Sequence, residues 1–227
     1  MMWRVELDPI PAWRRHTEGE QRWPAAIAIA AMMGLQVLLP DRLTLGPRWL
    51  FPAMEVLIIG VIVAANPGRL RKSSPALRTL SLTLIAVASL GNVYSVGRLV
   101  HDIAGGHNTG SAAQLLATGA DIYLINVFTF AVWFWELDRG GPVERANGSD
   151  PYPDFLFPPM TSPDMAHKDW EPRFLDYFYV AFTNATAFSP TDTLPMSRWA
   201  KFAMAVESAI ALVTAALVIA KAVNALQ

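Results

Sequence analysis

Five long apolar stretches limit what this chain can fold into. They cover residues 24–40, 49–65, 77–101, 112–137 and 198–226. A helix needs about 20 mostly apolar residues to cross the hydrocarbon core of a bilayer. The 227 residues are 53% hydrophobic and only 16% charged, a composition too apolar for an ordinary soluble domain of this size. The sequence therefore predicts an all-α integral membrane protein.

A sixth apolar run, from 174 to 188, is of a different kind. At about 15 residues it is too short to cross the bilayer, and it fits a re-entrant or buried helix. Ser189 and Pro190 end this run, and Pro195 prevents an immediate restart. Ser197 is then placed to cap the last helix. The sequence predicts four transmembrane helices, a dip into the membrane and back, and a fifth spanning helix.

The same pattern divides the chain into four parts. They are an interfacial N-terminal segment at 1–23, a four-helix transmembrane bundle at 24–137, a Pro-rich polar connector at 138–172 and a hairpin at 173–227. The hairpin consists of a short helix (174–188), a loop (189–197) and a spanning helix (198–226). A signal peptide is the alternative for the first apolar stretch. The charged leader of 23 residues and the second apolar stretch just behind it argue against that alternative.

Aromatic residues mark the expected membrane interfaces. Tryptophan rings favour the headgroup level, and five tryptophans fall at predicted helix ends: Trp23, Trp49, Trp133, Trp135 and Trp199. In the connector we expect Phe155, Leu156 and Phe157 to dip into the interface.

Basic residues indicate the orientation. Eight of them flank one side of the predicted bundle and three flank the other, and the positive-inside rule places the richer side in the cytoplasm. The sequence therefore predicts a multi-pass protein of the inner or plasma membrane with a cytoplasmic N-terminus. The eight are Arg4, Arg14, Arg15, Arg22, Arg69, Arg71, Lys72 and Arg78, and the three are Arg42, Arg48 and Arg98.

Several function classes lack their sequence signals. The chain has no Cys, which excludes disulfides and thiolate metal sites. A net charge of −1 gives no nucleic-acid footprint. No phosphate-binding glycine loop, nucleophile elbow or zinc-protease motif is present. His101 and His107 flank a Gly-Gly turn, which is more typical of a solvated loop than of a metal site. We expect no enzyme activity, no cofactor and no metal.

The C-terminal quarter, "FTNATAFSPTDTLPMSRWAKFAMAVES", resembles the pore loop and inner helix of the two-helix potassium channel superfamily over about residues 170–226. The whole layout also resembles bacterial multi-pass inner-membrane proteins that share this C-terminal half. The resemblance implies a homo-oligomer, tetrameric in a channel, that passes ions through a pore loop. It is carried by Thr183, Thr186, Asp192, Pro195, Arg198 and Glu207.

The chain departs from that family at the filter. A carbonyl-lined potassium filter needs glycines, and no Gly occurs between 174 and 227. We expect instead a hydroxyl-lined mouth with Asp192 as a ring of charge, able to pass cations. Its hydroxyls come from Thr186, Ser189, Thr191 and Thr193, with Thr183 on the preceding turn. The alternative is a non-conducting membrane scaffold or regulatory subunit that keeps the hairpin without a working filter.

The direction of the hairpin differs from that of potassium channels. There the loop enters from outside, whereas the charge count here turns its mouth toward the cytoplasm. Glutamate-receptor channels are known for this inverted arrangement. Arg139, Arg145, Lys168 and Arg173 of the connector agree with a cytoplasmic mouth.

Ionisable residues inside the predicted spans need partners, because a bare charge in hydrocarbon is costly. Glu55, Arg98 and Asp121 fall toward the same side of the membrane. We predict a network in which Arg98 bridges the two carboxylates. Such a network either holds the first four helices together or responds to protons or voltage.

Glu207 lies two turns into the last helix. It faces either a shared axis or the short helix at Thr183 or Asn184, and we favour the second. Asp176 and Tyr177, in the first turn of the short helix, are interpreted as a helix start and an interface anchor.

Overall fold

The structure is a computed structural model that describes residues 11–21, 23–65, 75–107, 110–186 and 192–224. Most of these residues are helical, as the sequence predicts. The helices are α1 (Trp23–Leu38), α2 (Leu50–Ala65), α3 (Pro75–Ala104), α4 (Ala112–Leu137), α5 (Pro142–Asn147), α6 (Pro158–Thr161), α7 (Phe174–Thr186) and α8 (Arg198–Asn224). Two short strands, β1 (Phe155–Leu156) and β2 (Leu194–Pro195), pair antiparallel within the described residues.

Three of the described helices are long and apolar enough to cross a membrane. They are α3, α4 and α8, with 30, 26 and 27 residues, or about 39–45 Å at 1.5 Å per residue. By contrast, α1 and α2 have 16 residues each, which gives about 24 Å. The all-α fold class is confirmed. Three of the described helices are long enough for a full crossing.

Sequence signals explain both ends of α4. Ser111 and Gln114 form a capping box, in which the Ser111 hydroxyl accepts from the Gln114 N–H and the Gln114 side chain accepts from the Ser111 N–H. After Leu137 the chain turns through Gly140 and Gly141, whose positive φ angles of 81° and 99° favour glycine. The helix consequently runs unbroken through the fourth apolar stretch.

Helix α4 is the centre of the bundle. It packs against α1, α3, α7 and α8. An apolar stretch of 18 residues in α4 is 56% buried inside the structure, whereas the corresponding stretches are 28% buried in α3 and 22% buried in α8. Two layers of core side chains line its length, one around Phe134 and Tyr177 and the other around Leu115 and Ile122. Helices α1, α3, α7 and α8 are thus arranged around α4, while α2 packs on α1 and α3.

The first four helices alternate in direction. The turn between α1 and α2 meets the end of α3, where the Ser95 hydroxyl donates to the Leu43 carbonyl at 2.8 Å. At the opposite end of the bundle, Arg78 at the start of α3 donates to the carbonyl of Gly140 after α4. The N-terminal segment lies at this second end as well, because the Thr17 N–H donates to the Ala146 carbonyl at 2.8 Å.

The connector does not dip into a membrane interface as predicted. Phe155 is fully buried and Phe157 is buried, and both rings pack on Tyr177 of α7. Phe155 also meets Phe134 of α4 and Trp199 of α8. The prediction is wrong because an apolar triplet in a Pro-rich loop fits an internal core as well as a lipid surface, and the sequence pattern does not separate the two.

The close contact between α4 and α8 requires a glycine at position 119. A Cβ added there would lie 2.7 Å from Cγ1 of Val218. We expect Gly119→Ala to destabilise the protein by about 1–3 kcal/mol through overpacking, and Val218→Ala to restore part of that loss. Thermal unfolding in detergent measures both. Gly97→Ala, with no atom within 4 Å of its new Cβ, is the matched control. Equal stability of the Gly119 and Gly97 variants would contradict the close approach.

Candidate functional site

Helix α7 enters at the end of the bundle where α4 finishes. The Phe174 N–H donates to Oε1 of Glu20 at 2.6 Å, and the Trp135 indole N–H donates to Oε2 of the same residue at 2.7 Å. The Arg173 N–H donates to the Asp176 carboxylate at 2.8 Å, which confirms Asp176 as a helix start. One carboxylate in the N-terminal segment thereby joins the start of α7 to the last turn of α4.

The chain returns to this same end before α8 begins. The Met196 N–H donates to the Asp154 carbonyl at 2.7 Å, and the Trp199 indole donates to the Asp154 carboxylate at 2.8 Å. Ser197 caps α8, since its hydroxyl accepts from the Ala200 N–H at 3.3 Å. Asp154 is itself held by Asp138, whose Oδ1 accepts its N–H at 2.9 Å.

The far end of α7 is tied to the middle of α8. The Asn184 amide donates to Oε2 of Glu207 at 2.7 Å and to the Met204 carbonyl at 2.9 Å. The Ser208 hydroxyl donates to the Asn184 carbonyl at 3.1 Å. The prediction that Glu207 bonds to α7 through Asn184 is therefore confirmed. Asn184 and Glu207 each lie about ten residues into their helices, so α7 and α8 run side by side in the same direction.

A chain of hydrogen bonds between buried amides connects Glu207 to α4 and α3. The Asn126 amide of α4 donates to the Glu207 carbonyl at 3.2 Å, and the Asn92 amide of α3 donates to the Asn126 side chain at 3.3 Å. Oε1 of Glu207 and Oδ1 of Asn92 have no hydrogen-bond partner among the described residues. Four helices therefore share a polar interior at mid-depth, and the Glu207 side chain of α8 points into the protomer.

The predicted hydroxyl-lined mouth is only partly described. Thr183 and Thr186 donate within their own helix, to the carbonyls of Tyr179 and Thr183 at 2.7 and 3.0 Å. Asp192 is exposed and Thr193 is buried. Ser189 and Thr191 lie outside the described residues. Among the six candidates, Asp192 is the charged group that faces solvent or a partner.

The predicted network of Glu55, Arg98 and Asp121 does not form. The Arg98 guanidinium lies 3.5 Å from Asp102 and donates to the Arg42 carbonyl at 3.4 Å. Phe51 packs on Gly91, and α2 and α3 run in opposite directions. Moving from Phe51 to Glu55 therefore leads away from Arg98, which is why the arginine cannot reach that carboxylate.

Asp121 faces a cavity instead of an arginine bridge. The cavity has a volume of about 520 Å³ and lies between the end of α1 and the first turns of α4. Arg42 and Gln114 also line it. The charges that the sequence places at one membrane level are thus distributed over separate sites.

Asp138 and Tyr177 form a buried junction that sequence reasoning missed. The Tyr177 hydroxyl donates to Oδ2 of Asp138 at 2.5 Å, and the N–H groups of Asp154 and Phe155 donate to Oδ1 at 2.9 and 3.3 Å. Both residues are fully buried, so the interpretation of Tyr177 as an interface anchor is wrong. A charged run directly after an apolar helix is typical of a solvated loop, and no local signal marks this one as internal.

Two arginines complete the junction, which we define by Glu20, Asp138, Arg139, Arg145, Asp154 and Tyr177. Arg145 donates to the carbonyls of Trp135 and Asp138 at 2.5 and 3.0 Å. Its guanidinium lies 4.9 Å from the Tyr177 ring centroid and 4.0 Å from Glu20. Arg139, which has a positive φ of 51°, donates to the carbonyls of Trp13 and Asp150. The described residues contain no cluster of His, Asp and Glu suited to a metal ion.

The pKa of Glu20 leads to a prediction about pH. Burial raises the pKa of this carboxyl above its ordinary value of 4.5, against the opposing effect of the N–H groups of Phe174 and Trp135. The folded protein therefore binds the Glu20 proton more tightly than the unfolded chain. This contribution to stability is present below pH 4.5 and is lost as the pH rises through the raised value.

We expect Glu20→Gln to flatten the decline of unfolding temperature as the pH rises above about 4.5. Thermal unfolding across that range measures it. Asp164→Asn, at an exposed carboxylate of the connector, serves as the control. An unchanged pH profile in the Glu20 variant would show that its proton is not linked to folding.

Comparison with known proteins adds no relative from which to interpret the site. No protein-family model, curated protein or solved structure matches the chain.

Proposed function

We propose that the protein is a multi-pass membrane protein whose hairpin, α7 to α8, passes cations in a homo-oligomer, with four copies around one axis. The chain from Phe174 to Ser197 would enter and leave the bilayer on one side, while α8 crosses it. In this arrangement Asp192 forms a ring of charge at the mouth.

One observation carries the proposal: α7 and α8 begin at the same end of the bundle. Phe174 and Met196 are both held there, through Glu20 and Asp154, whereas Asn184 lies level with Glu207 about two and a half turns down α8. A chain that goes in as a helix and returns without one needs its polar backbone satisfied by protein or water at that depth. Pore loops meet this condition.

The outer face of α8 supports an assembly of several copies. Ala205, Ala209, Ala216 and Ala220 lie on one side of the helix, and all four are exposed. These small residues do not pack within the described chain. In a bilayer such a face lets a second helix approach closely, which favours contact between protomers.

The orientation is part of the same proposal. The N-terminal segment, the start of α3 and the mouth of the hairpin share one end of the bundle. The sequence predicts the excess of basic residues on the side of the N-terminal segment and the start of α3, so the positive-inside rule favours a mouth on the cytoplasmic side of the cell membrane.

A non-conducting scaffold or regulatory subunit is the second candidate, and one observation favours it. The exposed side of α8 between Phe202 and Val223 is apolar, and Glu207 is turned inward. The hydroxyls of Thr183 and Thr186 bond to their own helix. Such a surface could hold copies together without offering polar groups to an ion.

Cysteine labelling tests the course of the hairpin. The chain has no native Cys, so single cysteines can replace exposed residues. Arg173 lies just before α7 and Met196 just before α8, and Leu45 lies at the opposite end of the bundle. A membrane-impermeant thiol reagent should label positions 173 and 196 from the same face and position 45 from the other. Labelling of 173 and 196 from opposite faces would show that the chain between them crosses the membrane and does not turn back.

Liposome flux tests conduction. We expect the purified protein to release K⁺ or Na⁺, and Asp192→Asn to reduce the flux by about tenfold at low salt because the charge concentrates cations at the mouth. The reduction should shrink as ionic strength rises. Asp164→Asn, at an exposed connector carboxylate, is the matched control. Absence of flux for every ion and pH tested would favour the scaffold.

A further inference from the structure

Glu55 of α2 and Gln36 of α1 form a buried pair that the hairpin does not use. The side chain of Glu55 is fully buried and Gln36 is 7% exposed. The Gln36 amide N–H donates to Oε1 of Glu55 at 3.0 Å. The other oxygens of the pair, Oε2 of Glu55 and Oε1 of Gln36, have no hydrogen-bond partner among the described residues. Two groups already in contact therefore each have one unsatisfied acceptor.

Among the described residues, no counter-charge compensates Glu55. Helix α1 contains no titratable side chain, and Glu55 is the only one in α2. Because Phe51 packs on Gly91, the part of α3 level with Glu55 is the stretch 80–90, which contains none either. Tyr94 and Arg98 lie beyond Gly91, toward the turn between α1 and α2. An ionised Glu55 would therefore keep a buried charge with a single neutral hydrogen bond, which is strongly unfavourable.

A single proton removes this difficulty. A carboxylic acid and a primary amide can form two hydrogen bonds at once, the amide N–H donating to one acid oxygen and the acid O–H donating to the amide oxygen. The existing 3.0 Å contact is the first of these bonds. A proton on Oε2 of Glu55, after a small rotation of either side chain, supplies the second and satisfies both unpartnered oxygens.

We propose that Glu55 and Gln36 form a proton-binding site that joins α1 to α2. The bound species is the proton itself, taken up from water at the end of the bundle where the turn between the two helices lies. With the proton bound, the pair closes the contact between two helices of only 16 residues each. Loss of the proton at high pH leaves a buried carboxylate and loosens α1 from α2. The site lies outside the hairpin and does not depend on conduction.

Infrared difference spectroscopy of the purified protein tests the site directly. At neutral pH we expect a carbonyl stretch from a protonated carboxylic acid that disappears in Glu55→Gln. Glu207→Gln, measured in parallel, assigns the band to one residue. Gln36→Met, which keeps the shape and removes the amide, should shift the band because the acid loses its partner. A spectrum unchanged by Glu55→Gln, or a Glu55 carboxylate band that responds to K⁺ or Na⁺, would overturn the proposal.

Stability against pH gives a second measurement. In Glu55→Gln the amide reproduces both hydrogen bonds of the protonated pair, so the variant should unfold within a few degrees of the wild type at neutral pH and lose less stability at alkaline pH. Gln36→Met should lower the unfolding temperature by at least about 2–4 °C. Identical alkaline profiles for wild type and Glu55→Gln would contradict a proton held by the folded state.

Discussion

The buried carboxylate of Asp138 is the group on which the arrangement of the C-terminal half depends. It follows the last residue of α4 and accepts hydrogen bonds from α7, through Tyr177, and from the connector, through the N–H groups of Asp154 and Phe155. Asp154 in turn holds Met196 and Trp199. A charged group without water requires nearly all its acceptor positions to be filled. The entry and the exit of the hairpin are consequently held at one end of the central helix.

The polar interior of the protomer restricts where ions could pass. Glu207, Asn184, Asn126 and Asn92 are turned toward one another between α3, α4, α7 and α8. The outer surface of α8 is left apolar. In the proposed assembly, any route between copies is therefore lined by apolar side chains along α8, with the Asp192 carboxylate at its mouth. Inner surfaces of this kind tend to be gated by dewetting.

Local patterns were enough for some features and failed for others. Apolar length located the helices, and Ser197 was recognisable as a cap because capping needs only residues three apart. The partner of Glu207 was foreseen because a short helix ahead of a spanning one has few places to pack. The partners of Arg98 and Tyr177 could not be predicted, since each contact depends on the relative direction and level of segments that pack together in the fold.

The sequence by itself determined that the chain is helical and that a break separates α7 from α8, whereas it predicted five spanning helices and three of the described helices reach that length. These follow from hydrophobicity, proline and capping, which act over a few residues. The tertiary structure decided which polar groups meet: Glu55 with Gln36, Asp138 with Tyr177 and Phe155 with the core. Burial makes such pairings obligatory, but packing between distant segments chooses the partner.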